Sequence, residues 1–113
     1  MINLDAVLAE TRTIALAKSL HLIEVDRTDY AIKLRLSIDR DIFIQIYANE
    51  NSDKFNLTLI MQGNRIYGFD REGGLYHLHP FLDTRQHIPA NSSKNITDFA
   101  KESFYLLTVH GLL

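Results

Sequence analysis

The first part of the chain carries apolar residues at the spacing of a helix. Between residues 2 and 23 such positions recur every three or four residues, which predicts one helix with an inward face. Asn3 can cap its N-terminus, and Asp5 places a negative charge in the first turn, where the helix dipole favours one. The positions that define the inward face are Leu4, Val7, Leu8, Thr11, Ala15 and Leu22.

From about residue 29 the pattern changes to alternation of apolar and polar residues, which is typical of half-buried strands. Four strands are predicted on this basis, over residues 30–38, 42–48, 55–61 and 65–70. The short connections between them favour antiparallel neighbours in a meander. Residues 75–79 are expected to add a short edge strand that Pro80 ends, because proline has no N–H for a central ladder.

Helical spacing returns near the end of the chain. Residues 96–109 are predicted to form a second helix with Asn95 as its N-cap, whereas residues 81–94 show no regular pattern. The elements indicate an α+β fold: an N-terminal helix, a four- to five-stranded antiparallel meander sheet and a C-terminal helix, with both helices packed on one face of the sheet. No linker or repeat divides the chain, so residues 1–113 are expected to form one domain.

Composition excludes several classes of protein and site. Of the 113 residues, 46% are hydrophobic and 23% are charged, which is ordinary for a globular domain. The sequence has no cysteine, which excludes disulfides, thiolate metal sites and a cysteine nucleophile. The chain starts without an export signal and has no apolar stretch of about 20 residues, so we expect a cytoplasmic protein that does not enter a membrane.

A formal net charge of −2 argues against a general nucleic-acid coat protein, so any contact with RNA must come from a local patch. The polar face of the predicted sheet offers one candidate. Lys33, Arg35 and Tyr47 combine cations with an aromatic ring, and such groups can contact phosphates and stack bases. The same residues also suit an ordinary solvated face on which long cationic side chains lie over aromatics.

Three of the five histidines lie in one short segment, at positions 77, 79 and 87. His77 and His79 are two residues apart, so on a strand both rings point to one face. Cleavage of RNA by its own 2′-hydroxyl needs a base, an acid and a cation for the phosphate, and imidazoles exchange protons near neutral pH. His77 and His79 are therefore candidates for the base and the acid.

Charged neighbours complete the set of groups that this chemistry needs. Asp70 is a candidate to orient an imidazole and fix its tautomer, and Arg65, Arg71 and Arg85 are candidates to hold a phosphate through paired hydrogen bonds. Two other interpretations stay open. The three histidines with Asp70 could ligate a zinc-like metal, or they could be surface residues of a polar loop.

Four features of the second half of the chain follow one another in a familiar order. They are residues 65–70, the run His77-Leu78-His79-Pro80-Phe81, the downstream His87 and the helix start at residues 96–99. Together they resemble the TumE-type toxins of bacterial and archaeal toxin–antitoxin pairs. The resemblance implies a small ribonuclease toxin that a partner antitoxin holds inactive. Carried over to this chain, it points to Arg65, Asp70, His77 and His79.

The chain departs from the family pattern at two positions, where Arg71 and Tyr76 replace the usual Asn and His. The expected function is an endoribonuclease toxin that needs no cofactor, with RNA as substrate and an antitoxin as partner. Two alternatives are a non-catalytic protein-interaction module of the same fold and a metal-dependent hydrolase. A homodimer is compatible with all three, because sheet edges and the apolar C-terminus need covering.

Overall fold

Seven consecutive antiparallel strands lie between two helices in the computed structural model, which describes residues 2–113. In chain order the elements are α1 (Leu4–Lys18), β1 (His21–Arg27), β2 (Ala31–Asp39), β3 (Ile42–Asn49), β4 (Lys54–Met61), β5 (Asn64–Glu72), β6 (Leu75–His79), β7 (Ile88–Ala90) and α2 (Ile96–Val109). The strands keep this order across the sheet. The predicted α+β class is confirmed. The predicted order of elements, an antiparallel meander between two helices, is confirmed as well. Within residues 2–113, no helix is long and apolar enough to cross a membrane.

The prediction of four to five strands is wrong, because strands form at two places where none was expected. α1 ends at Lys18, earlier than the predicted residue 23, because Ser19 adopts a left-handed conformation with φ 55° that closes the helix. Residues 21–27 then form β1, which pairs with β2. β7 lies within the segment 81–94 that was expected to be irregular, and it makes β6 an internal strand.

One face of the sheet is apolar, and both helices cover it. α1 packs on β1, β2 and β3, α2 packs on β4, and the two helices contact each other. The fully buried strand residues on this side include Ile32, Leu34, Leu36, Ile44, Ile46, Leu57 and Leu59. Burial of one such side chain contributes about 1.5–3 kcal/mol, so this layer supplies the main attraction between the meander and the helices.

Both helices begin with the caps that the sequence predicts. The Asn3 side chain accepts a hydrogen bond from the N–H of Ala6, and Asn95 accepts one from the N–H of Asp98. The second helix has an additional cap from the first, since a Glu10 carboxylate oxygen accepts from the Thr97 N–H at 2.9 Å. This negative charge at a helix N-terminus joins α1 to α2.

A polar cluster on the helix side fastens α2 to β5. The Tyr67 hydroxyl donates to Glu102 at 3.0 Å, and the Lys94 ammonium donates to both oxygens of the same carboxylate. The Tyr67 ring also stacks on the fully buried Phe99, with 5.0 Å between the centroids. Burial, and then the nearby Glu102 charge, raise the pKa of Tyr67 well above its usual value.

The Tyr67→Phe variant should lose less stability at alkaline pH than the wild type loses. The unfolded chain ionises Tyr67 near 10.0, whereas the folded protein keeps it protonated, so stability falls as the pH rises above that value. We expect the urea unfolding free energy to fall more steeply between about pH 9 and 11 in the wild type than in Tyr67→Phe. Tyr105→Phe, at an exposed tyrosine, is the control. Equal slopes for all three proteins would contradict this assignment.

Candidate functional site

The face of the sheet away from the helices, called the open face below, carries most of the predicted site residues. The strand register places Lys33, Tyr47, Asn56, Asp70 and His77 in one row across β2 to β6. Cross-strand partners share a face, so these side chains all lie on the same side of the sheet. At about 4.8 Å per strand, the row extends over about 19 Å.

Arg65, Arg35 and His79 also belong to the open face, whereas Arg71 does not. Arg71 is opposite Phe55 and Tyr76 in the register, which places it on the helix side. There its guanidinium pairs with Asp53 at 3.0 Å. The structure therefore separates Arg71 from the other predicted site residues.

Asp70 and His79 form the closest contact of the cluster. The His79 Nε2 lies 2.6 Å from an Asp70 carboxylate oxygen, and the Nδ1 lies 3.1 Å from the carbonyl oxygen of Thr84. A carbonyl oxygen only accepts, so Nδ1 carries a proton and donates to Thr84. Both ring nitrogens are therefore engaged, and the His79 side chain is only 1% exposed.

A glycine on the neighbouring strand makes room for the buried ring. Gly68 is opposite His79, and a Cβ on Gly68 would lie 3.4 Å from both the Cβ and the Cδ2 of His79. Glycine inside a strand often marks such a close approach, so this was a readable signal in the sequence. The Arg65 side chain lies over the same glycine, with its Cδ 3.5 Å from the Cβ position.

The segment between β6 and β7 folds back over this part of the open face. Its Thr84 carbonyl accepts from His79 and also from the Arg65 guanidinium at 3.3 Å, and the Thr84 hydroxyl donates to the Arg65 carbonyl at 3.1 Å. Together with a hydrogen bond from the Leu82 N–H to the Ile66 carbonyl at 2.8 Å, these three bonds fix the segment against β5 and β6. Nothing in the sequence marked Thr84 for this role. Arg85, the next residue, is exposed in this segment.

The same segment brings His87 to the other two histidines of the cluster. The His87 ring centroid lies 4.4 Å from that of His79 and 6.3 Å from that of His77. His77 is half-buried and His87 is exposed, so solvent reaches both. The sequence suggested a chemical role for His87 only as a metal ligand and did not reveal its contact with both strand histidines. That contact depends on how the loop between β6 and β7 folds back over the sheet.

The predicted set Arg65, Asp70, His77 and His79 therefore lies together on the open face, but its members are not equally accessible. His79 is enclosed, whereas His77 is open to solvent on one side. No three His, Asp or Glu side chains within residues 2–113 are arranged to hold a metal ion. The groups available to a ligand are imidazoles and a guanidinium.

Cations and aromatic rings continue along the open face beyond the histidines. The Arg35 guanidinium lies 4.6 Å from the centroid of the Phe43 ring, and the Tyr47 hydroxyl accepts from the Asn49 amide at 3.0 Å. Lys33 is half-buried in the same row as Tyr47. This arrangement offers positive charge for phosphates and flat surfaces for bases.

Replacing Asp70 with Asn should weaken the contact that holds the buried His79 ring, because a neutral amide oxygen is a weaker acceptor than a carboxylate. We expect the urea unfolding free energy to fall by about 1–3 kcal/mol, since the Asp70 side chain is 27% exposed. Asp26→Asn, at an exposed position on β1, is the control. Equal unfolding free energies for the wild type and Asp70→Asn would contradict a structural role of this contact.

Comparison of this chain with protein-family models, with curated proteins and with solved structures finds no match. The function must therefore be argued from the residues of the open face. That face carries the imidazole cluster around the Asp70–His79 contact, together with basic and aromatic side chains on β2 and β3.

Proposed function

We propose that the protein is a metal-independent endoribonuclease and the toxin of a toxin–antitoxin pair. One observation carries the proposal: three imidazoles, a carboxylate and a guanidinium meet on the open face, which also carries basic and aromatic side chains on β2 and β3. The resemblance to TumE-type toxins points to the same residues. The antitoxin partner is proposed from that resemblance.

The residue types suit cleavage by the 2′-hydroxyl of the substrate itself. Such cleavage needs one group to accept the hydroxyl proton, one to protonate the leaving oxygen and a cation for the crowded phosphate. Solvent-accessible imidazoles can supply both proton transfers near neutral pH. The exposed Arg65 uses one nitrogen on the Thr84 carbonyl, which leaves its other N–H groups to bind a phosphate.

The open face also gives the substrate a place to lie. RNA is read mainly as single strands whose bases stack on aromatic rings and whose phosphates meet cations. Tyr47 and Phe43 offer rings, and Lys33 and Arg35 offer positive charge on the same side as His77. This local concentration of cations is consistent with a chain whose overall charge is −2.

The test is cleavage of a labelled single-stranded RNA by the purified protein in the presence of a chelator. His77→Ala should lower the rate about a hundredfold or more, since a lost general acid or base typically costs that much. His21→Ala is the matched control, because His21 lies on β1, about 24 Å across the sheet from β6.

Circular dichroism of each variant checks that it folds. Intact RNA after incubation with the folded wild type would overturn the proposed activity. Equal cleavage by wild type and His77→Ala would show that the activity, if present, does not use this cluster.

The exposed edge of the sheet favours a second candidate function, a protein-interaction module that pairs two copies of the chain. β1 is a full-length edge strand with Ile23 and Val25 each 42% exposed, and Val25 is a bulge residue outside the register with β2. β7 at the other edge has three residues and contains Pro89, which weakens it as a template for pairing.

If β1 is such an interface, the wild type should be a dimer by light scattering at micromolar concentration. A double change, Ile23→Lys with Val25→Lys, should give a monomer of unchanged fold, because charges on an edge strand oppose pairing. Leu75→Lys, at another exposed apolar position, is the control. A monomeric wild type would rule out this second candidate.

A further inference from the structure

The three clustered histidines differ in whether their nitrogens are free to exchange protons with a substrate. His79 is 1% exposed, and both of its nitrogens are engaged by Asp70 and Thr84. His77 and His87 are solvent-accessible, and within residues 2–113 neither ring takes part in a hydrogen bond. The two accessible rings are thus the ones that can act as acid and base.

The two accessible rings lie close enough to act on one phosphodiester. In an in-line displacement, the attacking and leaving oxygens lie on opposite sides of phosphorus, and each must come within about 2.6–3.2 Å of its imidazole nitrogen. The His77 and His87 ring centroids are 6.3 Å apart, so nitrogens on the outer edges of the two rings can flank one phosphate. His79 is excluded from this pair because both of its nitrogens are engaged.

We propose, on the basis of the ribonuclease function above, that His77 and His87 are the acid–base pair and that the substrate class is single-stranded RNA cleaved through its ribose 2′-hydroxyl. One neutral imidazole takes the 2′-hydroxyl proton as the 2′-oxygen–phosphorus bond forms. The other, as imidazolium, gives its proton to the 5′-oxygen as the phosphorus–oxygen bond breaks. The products are a 2′,3′-cyclic phosphate and a free 5′-hydroxyl, and no metal, oxidant or water molecule enters the step.

His79 and Asp70 act on this pair as positioning residues. The His79 Nδ1 holds the Thr84 carbonyl, three residues before His87, and the His79 ring meets the His87 ring edge to face at 4.4 Å. Asp70 holds the other nitrogen of the His79 ring at 2.6 Å. This buried contact thereby fixes the loop that carries one catalytic ring relative to the strand that carries the other.

The experiment compares cleavage of one single-stranded oligoribonucleotide by wild type, His77→Ala, His87→Ala and His79→Gln, with His21→Ala as control. We expect His77→Ala and His87→Ala each to lose about a hundredfold or more in rate and each to lose one limb of the bell-shaped pH–rate profile. Added imidazole should restore part of both losses. His79→Gln should lower the rate and keep both limbs, because it moves the pair without removing either ring.

The substrate gives a second readout that does not depend on the variants. A 2′-deoxy nucleotide at the cleaved position should block the reaction, and the RNA product should carry a 2′,3′-cyclic phosphate. If wild type cleaves RNA and His87→Ala retains a rate within threefold of it, the pairing of His77 with His87 is wrong while the proposed function stands. Cleavage of the deoxy-substituted strand would overturn the 2′-hydroxyl step. A wild type that cleaves no RNA overturns the proposed function and this inference with it.

Discussion

The buried contact between Asp70 and His79 is the interaction on which the open face depends. An imidazole that is almost without solvent contact needs a partner for each ring nitrogen, and the Asp70 carboxyl and the Thr84 carbonyl provide them. Loss of either partner would leave a buried ring nitrogen unsatisfied. Because Thr84 belongs to the segment between β6 and β7, the same contact also fixes that segment over the sheet.

The two faces of the sheet have different physical roles. The helix side is sealed by apolar packing, by the Glu10 cap on α2 and by the cluster of Tyr67, Lys94 and Glu102. The open face needs none of its polar residues for that packing. Apart from the enclosed His79, its histidines, Arg65 and Tyr47 are therefore available to a ligand and are held by a sheet that the helix side stabilises.

Burial divides the histidines of the cluster by role. A ring with both nitrogens engaged can organise its surroundings but cannot exchange protons with a bound molecule, whereas the rings of His77 and His87 are solvent-accessible and make no hydrogen bond within residues 2–113. The chemistry proposed here follows from this separation between one structural imidazole and two reactive ones.

Local pattern determined much of this protein. The alternation of apolar residues predicted β2 to β5, the caps Asn3 and Asn95 marked both helix starts, and together they indicated the α+β class. The same alternation places Arg71 on the face opposite to Asp70, and the prediction of Arg71 as a phosphate ligand beside Asp70 overlooked this constraint. Only tertiary structure decided that residues 21–27 leave the helix, because their stability as a strand comes from pairing with β2. It also decided that the loop after β6 encloses His79 and carries His87 to His77, because such contacts arise between residues that no local periodicity connects.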